Sequence, residues 1–292
     1  MNREAARTFA RRTAKKAARL YTVPTTPMRR LPDFLIIGTQ RGGTTSLYRY
    51  LEKHPSVLPT VLNKGVHYFD TNFEKGPVWY RSHFPTTAAK GLRRRRAGGG
   101  PVITGEGSPY YSFHPLAPQR IAELLPNGRF ILMLRDPISR AHSHYQHEVA
   151  RGFEELSFEE ALEREEERLA GEEERMIADP SYFSFAHQHH SYVARGLYLS
   201  QIQRWHSVLP REQLLIVDST DFFSNADATY REVLRFLELA ERSLPAYEKM
   251  NAHSYDRMTP RALAFLRSRV ADPNRALSGY LERAFPWDVE RG

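Results

Sequence analysis

The sequence predicts an α/β fold of three layers, a mostly parallel central sheet flanked by helices, as one domain over residues 32–292 behind a basic arm at 1–31. Three observations carry this. Phe34–Ile37 and Phe130–Leu134 are short, continuously apolar runs, the pattern of strands buried on both faces. Each ends in a polar or glycine-rich turn that runs straight into helical spacing. Between and after them, helical patterns alternate with further strand-like runs at Val102–Glu106 and Gln213–Val217, the βαβ order of a parallel sheet.

Taken in order, residues 1–31 are rich in Arg, Lys and Ala and are broken by Pro24, Pro27 and Pro32, which reads as a basic, partly helical arm. The first strand is followed by Gly38-Thr39-Gln40-Arg41-Gly42-Gly43-Thr44-Thr45-Ser46. A strand, a glycine turn and a helix start place free backbone N–H groups around an anionic phosphate. Gly38 and Gly43 have the spacing of Walker A glycines, so the fold is P-loop-like. Thr44 and Thr45 replace the Lys-Ser/Thr pair that such a loop uses on the β- and γ-phosphates of ATP.

Pro55 ends the helix after the loop. Lys64-Gly65-Val66-His67-Tyr68-Phe69-Asp70 follows, with a near-neutral base in His67. Arg93–Gly100, four arginines, an alanine and three glycines, reads as a mobile surface loop. The second strand ends at Glu106, with Tyr110 and Tyr111 beyond it as candidate pocket residues. Pro118–Leu125 reads as a helix. Arg135, Asp136 and Pro137 end the next strand, and Pro137 suits a helix start. Ser143, about one and a half turns into that helix, faces back to the strand end. An arginine and a hydroxyl there suit a second phosphate. His142, His144, His147 and Glu148 have helical ligand spacing, yet no zinc pattern completes them, and no metal is expected. Leu156–Met176 reads as one amphipathic helix, Tyr198–Val208 and Phe222–Leu239 as two more, and Pro260 fits a further helix start.

Arg41 to Ser46 after a strand, followed by Arg129–Pro137 with Arg140 and Ser143, resembles the sulfotransferases that use 3′-phosphoadenosine 5′-phosphosulfate (PAPS). The Lys64–Asp70 stretch is similar to the Lys-Glu-x-His-Phe-Phe-Asp stretch of the carbohydrate, heparan-type branch. The resemblance implies that Arg41, Gly42, Gly43, Thr44, Thr45 and Ser46 hold the 5′-phosphate and that Arg41 steadies the bridging oxygen. It implies that Arg135 and Ser143 grip the 3′-phosphate. Gly65 stands where that branch often carries a catalytic glutamate, so the base falls to His67, oriented by Asp70, with Glu106 in reserve. The implied reaction moves a sulfuryl group from PAPS, without metal, to a hydroxyl, or less readily an amine, of a carbohydrate or small metabolite. Two other classes stay open: a P-loop kinase-like phosphotransferase, and a catalytically inactive nucleotide- or glycan-binding relative.

A net charge of +8 favours anionic ligands. No nucleic-acid-binding module is present, and a doubly anionic nucleotide accounts for the basic residues around the two stretches. Cysteine is absent, which excludes thiol nucleophiles and cysteine-bound zinc. No apolar run reaches membrane-spanning length and the N-terminus lacks a signal-peptide core, so the expectation is a cytoplasmic protein. Weak peripheral membrane contact is left to the basic arm.

Overall fold

The computed structural model describes residues 21–248 and 257–287. Five strands form one parallel sheet in the order β2-β3-β1-β4-β5: β1 (Phe34–Gly38), β2 (Val57–Leu58), β3 (Ile103–Gly107), β4 (Arg129–Leu134) and β5 (Leu214–Asp218). β1 lies at the centre, with Leu35 beside Glu106 of β3 and Phe130 of β4. All five of its residues are buried.

Alternation sorts the strand side chains into two layers. Leu35, Ile37, Leu132 and Leu134 face one cluster with Trp205, Ile202 and Leu277. Phe34, Ile36, Ile131 and Met133 face the other with Leu47, Leu51, Val233 and Leu234. A smaller cluster joins Ala141, Phe158, Leu162 and Leu266. The helices that position the site are α1 (Thr44–Glu52), after the glycine turn, and α5 (Pro137–Ala150), after β4. Between them come α2 (Gly76–Arg81), α3 (Thr87–Arg96) and α4 (Ala117–Leu124). After them come α6 (Phe158–Leu169), α7 (Glu172–Ala178), α8 (Phe185–His189), α9 (Tyr198–His206), α10 (Ser219–Ser224), α11 (Ala226–Phe236) and α12 (Pro260–Leu281).

Three expectations change. The Arg93–Arg96 run is the last turn of α3 rather than a loop, because Thr86 caps the start by accepting from Ala89 N at 3.2 Å and cations suit a helix C-terminus. The helix expected over Leu156–Met176 is two, broken at Gly171, which takes φ 73°. The helix expected over Phe222–Leu239 divides at Asn225 into α10 and α11. The arm expected over residues 1–31 lies outside the described residues up to 20. Of residues 21–31, Thr22, Thr26 and Arg29 are buried while Tyr21, Val23 and Met28 are exposed, and the Arg29 guanidinium donates to Phe84 O at 2.5 Å. Among the described residues no helix is long and apolar enough to cross a membrane.

Candidate active site

The loop after β1 is built by backbone geometry that its residues dictate. Thr39 N donates to Met133 O of β4 at 2.9 Å, and Gly42 N turns back to Thr39 O at 2.9 Å. Gly43 caps α1 at φ 97°, a conformation that L side chains avoid, and its Cα faces the Phe223 ring. α1 therefore starts at Thr44 with no side-chain cap from Gly43, and the first N–H groups of any helix lie ahead of its own i−4 carbonyls. That end of the helix is a ready anion site. Ser219, where α10 starts beyond β5, donates its hydroxyl to Gly42 O and braces the turn from below.

The second stretch meets this loop directly. Asp136 caps α5 by accepting from Ile138 N and Ser139 N, which fixes the helix against the end of β4. Arg135 Nη1 donates to Arg41 O at 3.0 Å, and Arg41 Nε donates to Ser143 Oγ at 3.0 Å. Two arginines and a hydroxyl from segments about a hundred residues apart thus share one edge of the loop. The Tyr198 hydroxyl donates to Arg135 O at 2.8 Å and holds that corner.

On the other edge lies the Lys64–Asp70 stretch. His67 Nδ1 donates to Asp70 Oδ2 at 2.8 Å, which leaves Nε2 as the lone-pair nitrogen of the neutral ring. Asp70 is fully buried at its side chain, whereas that of His67 is 37% exposed. Burial opposes an imidazolium at His67, but the charge and hydrogen bond of Asp70, helped by Glu106, outweigh it and hold the ring above its ordinary pKa. Burial likewise opposes ionised Asp70, and His67 with the Thr71 N–H pulls it below the usual carboxylate range. His67 sits at φ 53°, and Asn72 clamps the turn by donating to His67 O at 2.8 Å.

Glu106 lies beneath this stretch with no exposed surface. Its oxygens accept from Val66 N, the Ser108 hydroxyl, the Tyr111 hydroxyl and the Tyr80 hydroxyl at 3.2, 2.6, 2.8 and 3.4 Å. Burial raises its pKa. Ser108 in turn accepts from His67 N at 2.9 Å. The carboxylate is thus committed to holding the turn, and the reserve-base expectation has no open oxygen to act through. Tyr110 and Tyr111 are buried, and they serve as braces rather than pocket walls: the Tyr110 hydroxyl is 2.7 Å from His187 Nδ1. On the histidine-rich face of α5, His144 and Glu148 are buried, and Glu148 carries the contacts to the loop. Glu148 accepts from Gln40 Nε2 at 3.2 Å and pairs with His189 at 3.0 Å, while Arg195 donates to Gln40.

Two contributors escape a reading of the two nucleotide stretches alone. Lys64 Nζ donates to Thr45 Oγ1 at 3.0 Å, so a cation reaches the loop from the segment between β2 and β3. Gln40, with Arg195 and Glu148, ties the loop to α5. Lys64 opens the quoted stretch, and its cationic end was the only available signal; nothing in the sequence pairs Gln40 with Arg195.

A parallel sheet with a phosphate loop at the carboxyl end of its central strand, two arginines on one edge and a His–Asp pair on the other, defines a P-loop-like α/β protein built around an anion. The comparisons then name the family. Residues 31–259 match the sulfotransferase domain, and the chain belongs to that family. It is 25% identical to the membrane-associated sulfotransferase kil1 of Dictyostelium discoideum over 88% of this chain and 66% of that protein. It is 31% identical to the human bifunctional heparan sulfate N-deacetylase/N-sulfotransferase 3 over 78% of this chain and 24% of that protein. The mouse heparan sulfate glucosamine 3-O-sulfotransferase 3B1 is also 31% identical, over 72% of this chain and 47% of its own length. The chain therefore spans from about a quarter to about two thirds of the length of these relatives. Among solved structures, a sulfotransferase from Alicyclobacillus acidocaldarius superposes with a TM-score of 0.65 at 27% identity, covering 88% of this chain and 98% of that one.

Proposed function

We propose that this sulfotransferase takes its sulfuryl group from PAPS and passes it to a hydroxyl of a carbohydrate or small metabolite. The observation that carries the donor is the Arg41–Ser143–Arg135 junction. It joins the 5′-phosphate cradle of Gly42 to Ser46 to a second cationic corner, which suits a nucleotide phosphorylated at two places. The residues present fit such a donor. The loop offers first-turn N–H groups and three hydroxyls, and a Cβ at Gly42 would lie 2.8 Å from Met133 O, so the turn keeps its tight path only with glycine there. The similarity to heparan sulfate N-sulfotransferases and 3-O-sulfotransferases supports a carbohydrate acceptor that offers an amine or a hydroxyl.

In this reading Asp70 fixes the tautomer of His67, and Nε2 removes the acceptor proton as the acceptor oxygen attacks sulfur. Position 65 helps. A Cβ there would lie 3.4 Å from His67 Nε2, so glycine leaves the approach to that nitrogen open. Glu106 positions the turn and takes no proton. Binding of donor and acceptor in line, with fixed donors and cations around the leaving oxygens, supplies the remaining rate. A metal has no role in this reading, and a cytoplasmic location belongs to it. Because kil1 is membrane-associated by name, cell fractionation is the check, and recovery with membranes shifts the location.

The test is thermal melting with 3′-phosphoadenosine 5′-phosphate (PAP), ADP and ATP–magnesium. PAP at a hundredfold over its dissociation constant adds about 2.7 kcal/mol of stability. A shift with PAP alone supports the reading; an equal shift with ATP–magnesium replaces it with a kinase-like one. The second reading that Gly65 favours, binding without turnover, fails if labelled sulfate passes from PAPS to desulfated heparan oligosaccharides or simple phenols.

A further inference from the structure

We propose that Lys64 is a catalytic residue of this site, the cation that meets the oxygen bridging phosphorus and sulfur as the S–O bond breaks; this rests on the PAPS reading above. Arg41 and Lys64 lie at different edges of the phosphate loop, and their surroundings divide the work. Arg41, at φ 71°, points its Nε to Ser143 while Arg135 holds its carbonyl, so its guanidinium is anchored at the second-anion corner. Lys64 lies on the other edge. Its Nζ is 3.0 Å from Thr45 Oγ1, in the first turn of α1, and it is three residues from His67 on the same chain segment. The cation is therefore on the base's side of the cradle, where sulfur changes partners.

The fold makes room for it. Lys64 O accepts from Gly107 N at 3.0 Å, and the lysine stem lies across Gly107, where an added Cβ would come within 3.1 Å of Cε. The Tyr48 ring lies 5.8 Å from Nζ. A Walker loop carries its lysine in its own sequence; here Thr44 and Thr45 stand in those places, and the lysine arrives from the segment between β2 and β3.

The charged groups around Lys64 are Glu106 and Glu52, which favour the ammonium, Arg49, which opposes it, and His67, whose imidazolium the ammonium disfavours. Burial outweighs them and pushes the ammonium down to about 8. In the step itself the acceptor oxygen forms its bond to sulfur, and its proton goes to His67 Nε2. The bond from sulfur to the bridging oxygen breaks, with both electrons left on that oxygen. Lys64 donates a hydrogen bond to it and keeps its own proton. The products are the sulfated acceptor, PAP and a protonated His67 that returns its proton to water.

Slow breakdown of PAPS to PAP and sulfate breaks the same bond with water as acceptor, so the test needs no identified acceptor. In Lys64→Met the affinity for PAP, by calorimetry, stays within about threefold, while PAPS breakdown falls about 100-fold or more, the effect of losing one preorganised donor. Lys64→Arg restores part of the rate and removes the decline that the parent shows as pH rises through about 8. A Lys64→Met variant that keeps more than a third of the parent rate overturns the proposal. So does one that weakens PAP binding as much as it slows breakdown, since Lys64 then only shapes the loop. A parent protein that binds no PAP overturns the donor reading beneath it.

Discussion

At the residue scale the site turns on which nitrogen of His67 is open. Asp70 holds Nδ1, so Nε2 acts, and Asp70 also keeps the imidazolium favoured. The base works only when neutral, so activity rises as pH climbs through the raised His67 pKa. Removing the neighbouring negative charge lowers that pKa. The ascending limb of the rate–pH profile of Asp70→Asn therefore moves to lower pH than in the parent, with a lower plateau because the ring is less well oriented. An unmoved limb removes His67 from the role of base. His67→Ala loses ~100- to 10,000-fold in turnover with PAP affinity preserved, and a variant that keeps the parent rate assigns the base elsewhere. Gly65→Glu brings a carboxylate beside Nε2 and shifts the same limb upward, if Gly107 O gives by a few tenths of an ångström to admit the new Cβ at 3.0 Å.

At the scale of elements the cradle depends on a few backbone positions. Gly43→Ala imposes φ 97° on a residue with a Cβ and presses it to 3.0 Å from Phe223, a cost of about 1–3 kcal/mol. Melting and PAP titration both register it, and an unchanged pair shows that the turn can relax. Thr86→Ala removes the cap of α3 and costs ~1 kcal/mol without touching the site. β1 and β4 were legible because their side chains are apolar on both faces, whereas the two-residue β2 was too short to show a pattern. The loop was legible because glycine spacing encodes backbone shape. The break at Gly171 was hidden because the glutamate and arginine runs at 163–168 and 172–175 satisfy helical spacing on either side of it. The helix in Arg93–Arg96 was hidden because four like charges in sequence say nothing of the dipole that welcomes them. Arg41, Ser143 and Arg135 could be named from sequence, but their mutual contacts depend on β1 and β4 being neighbours. Lys64 was in view as the start of a stretch, and only its distance to Thr45 gives it work.

At the scale of the molecule, α12 begins at Pro260, just beyond the matched family region that ends at 259, yet it closes two clusters of the core. Leu277 packs with Trp205 and Ile202, and Leu266 with Phe158 and Ala161. Leu277→Ala therefore costs about 2–5 kcal/mol, read as a lowered melting temperature, and a chain cut after residue 259 gives no cooperative melting transition. A sharp transition in the cut chain makes α12 an accessory. The strand order carries a further meaning for the growing chain. β1 holds the middle of the sheet, but both strands that flank it are made later. The last residue of β4 follows β1 by roughly a hundred residues, which at a ribosome's pace is about 5–20 s. For that interval Phe34-Leu35-Ile36-Ile37 keeps its β4 edge open, and until β3 ends at Gly107, roughly seventy residues after β1, both edges are open. The segment around which the enzyme is built is thus the one most in need of shelter during synthesis.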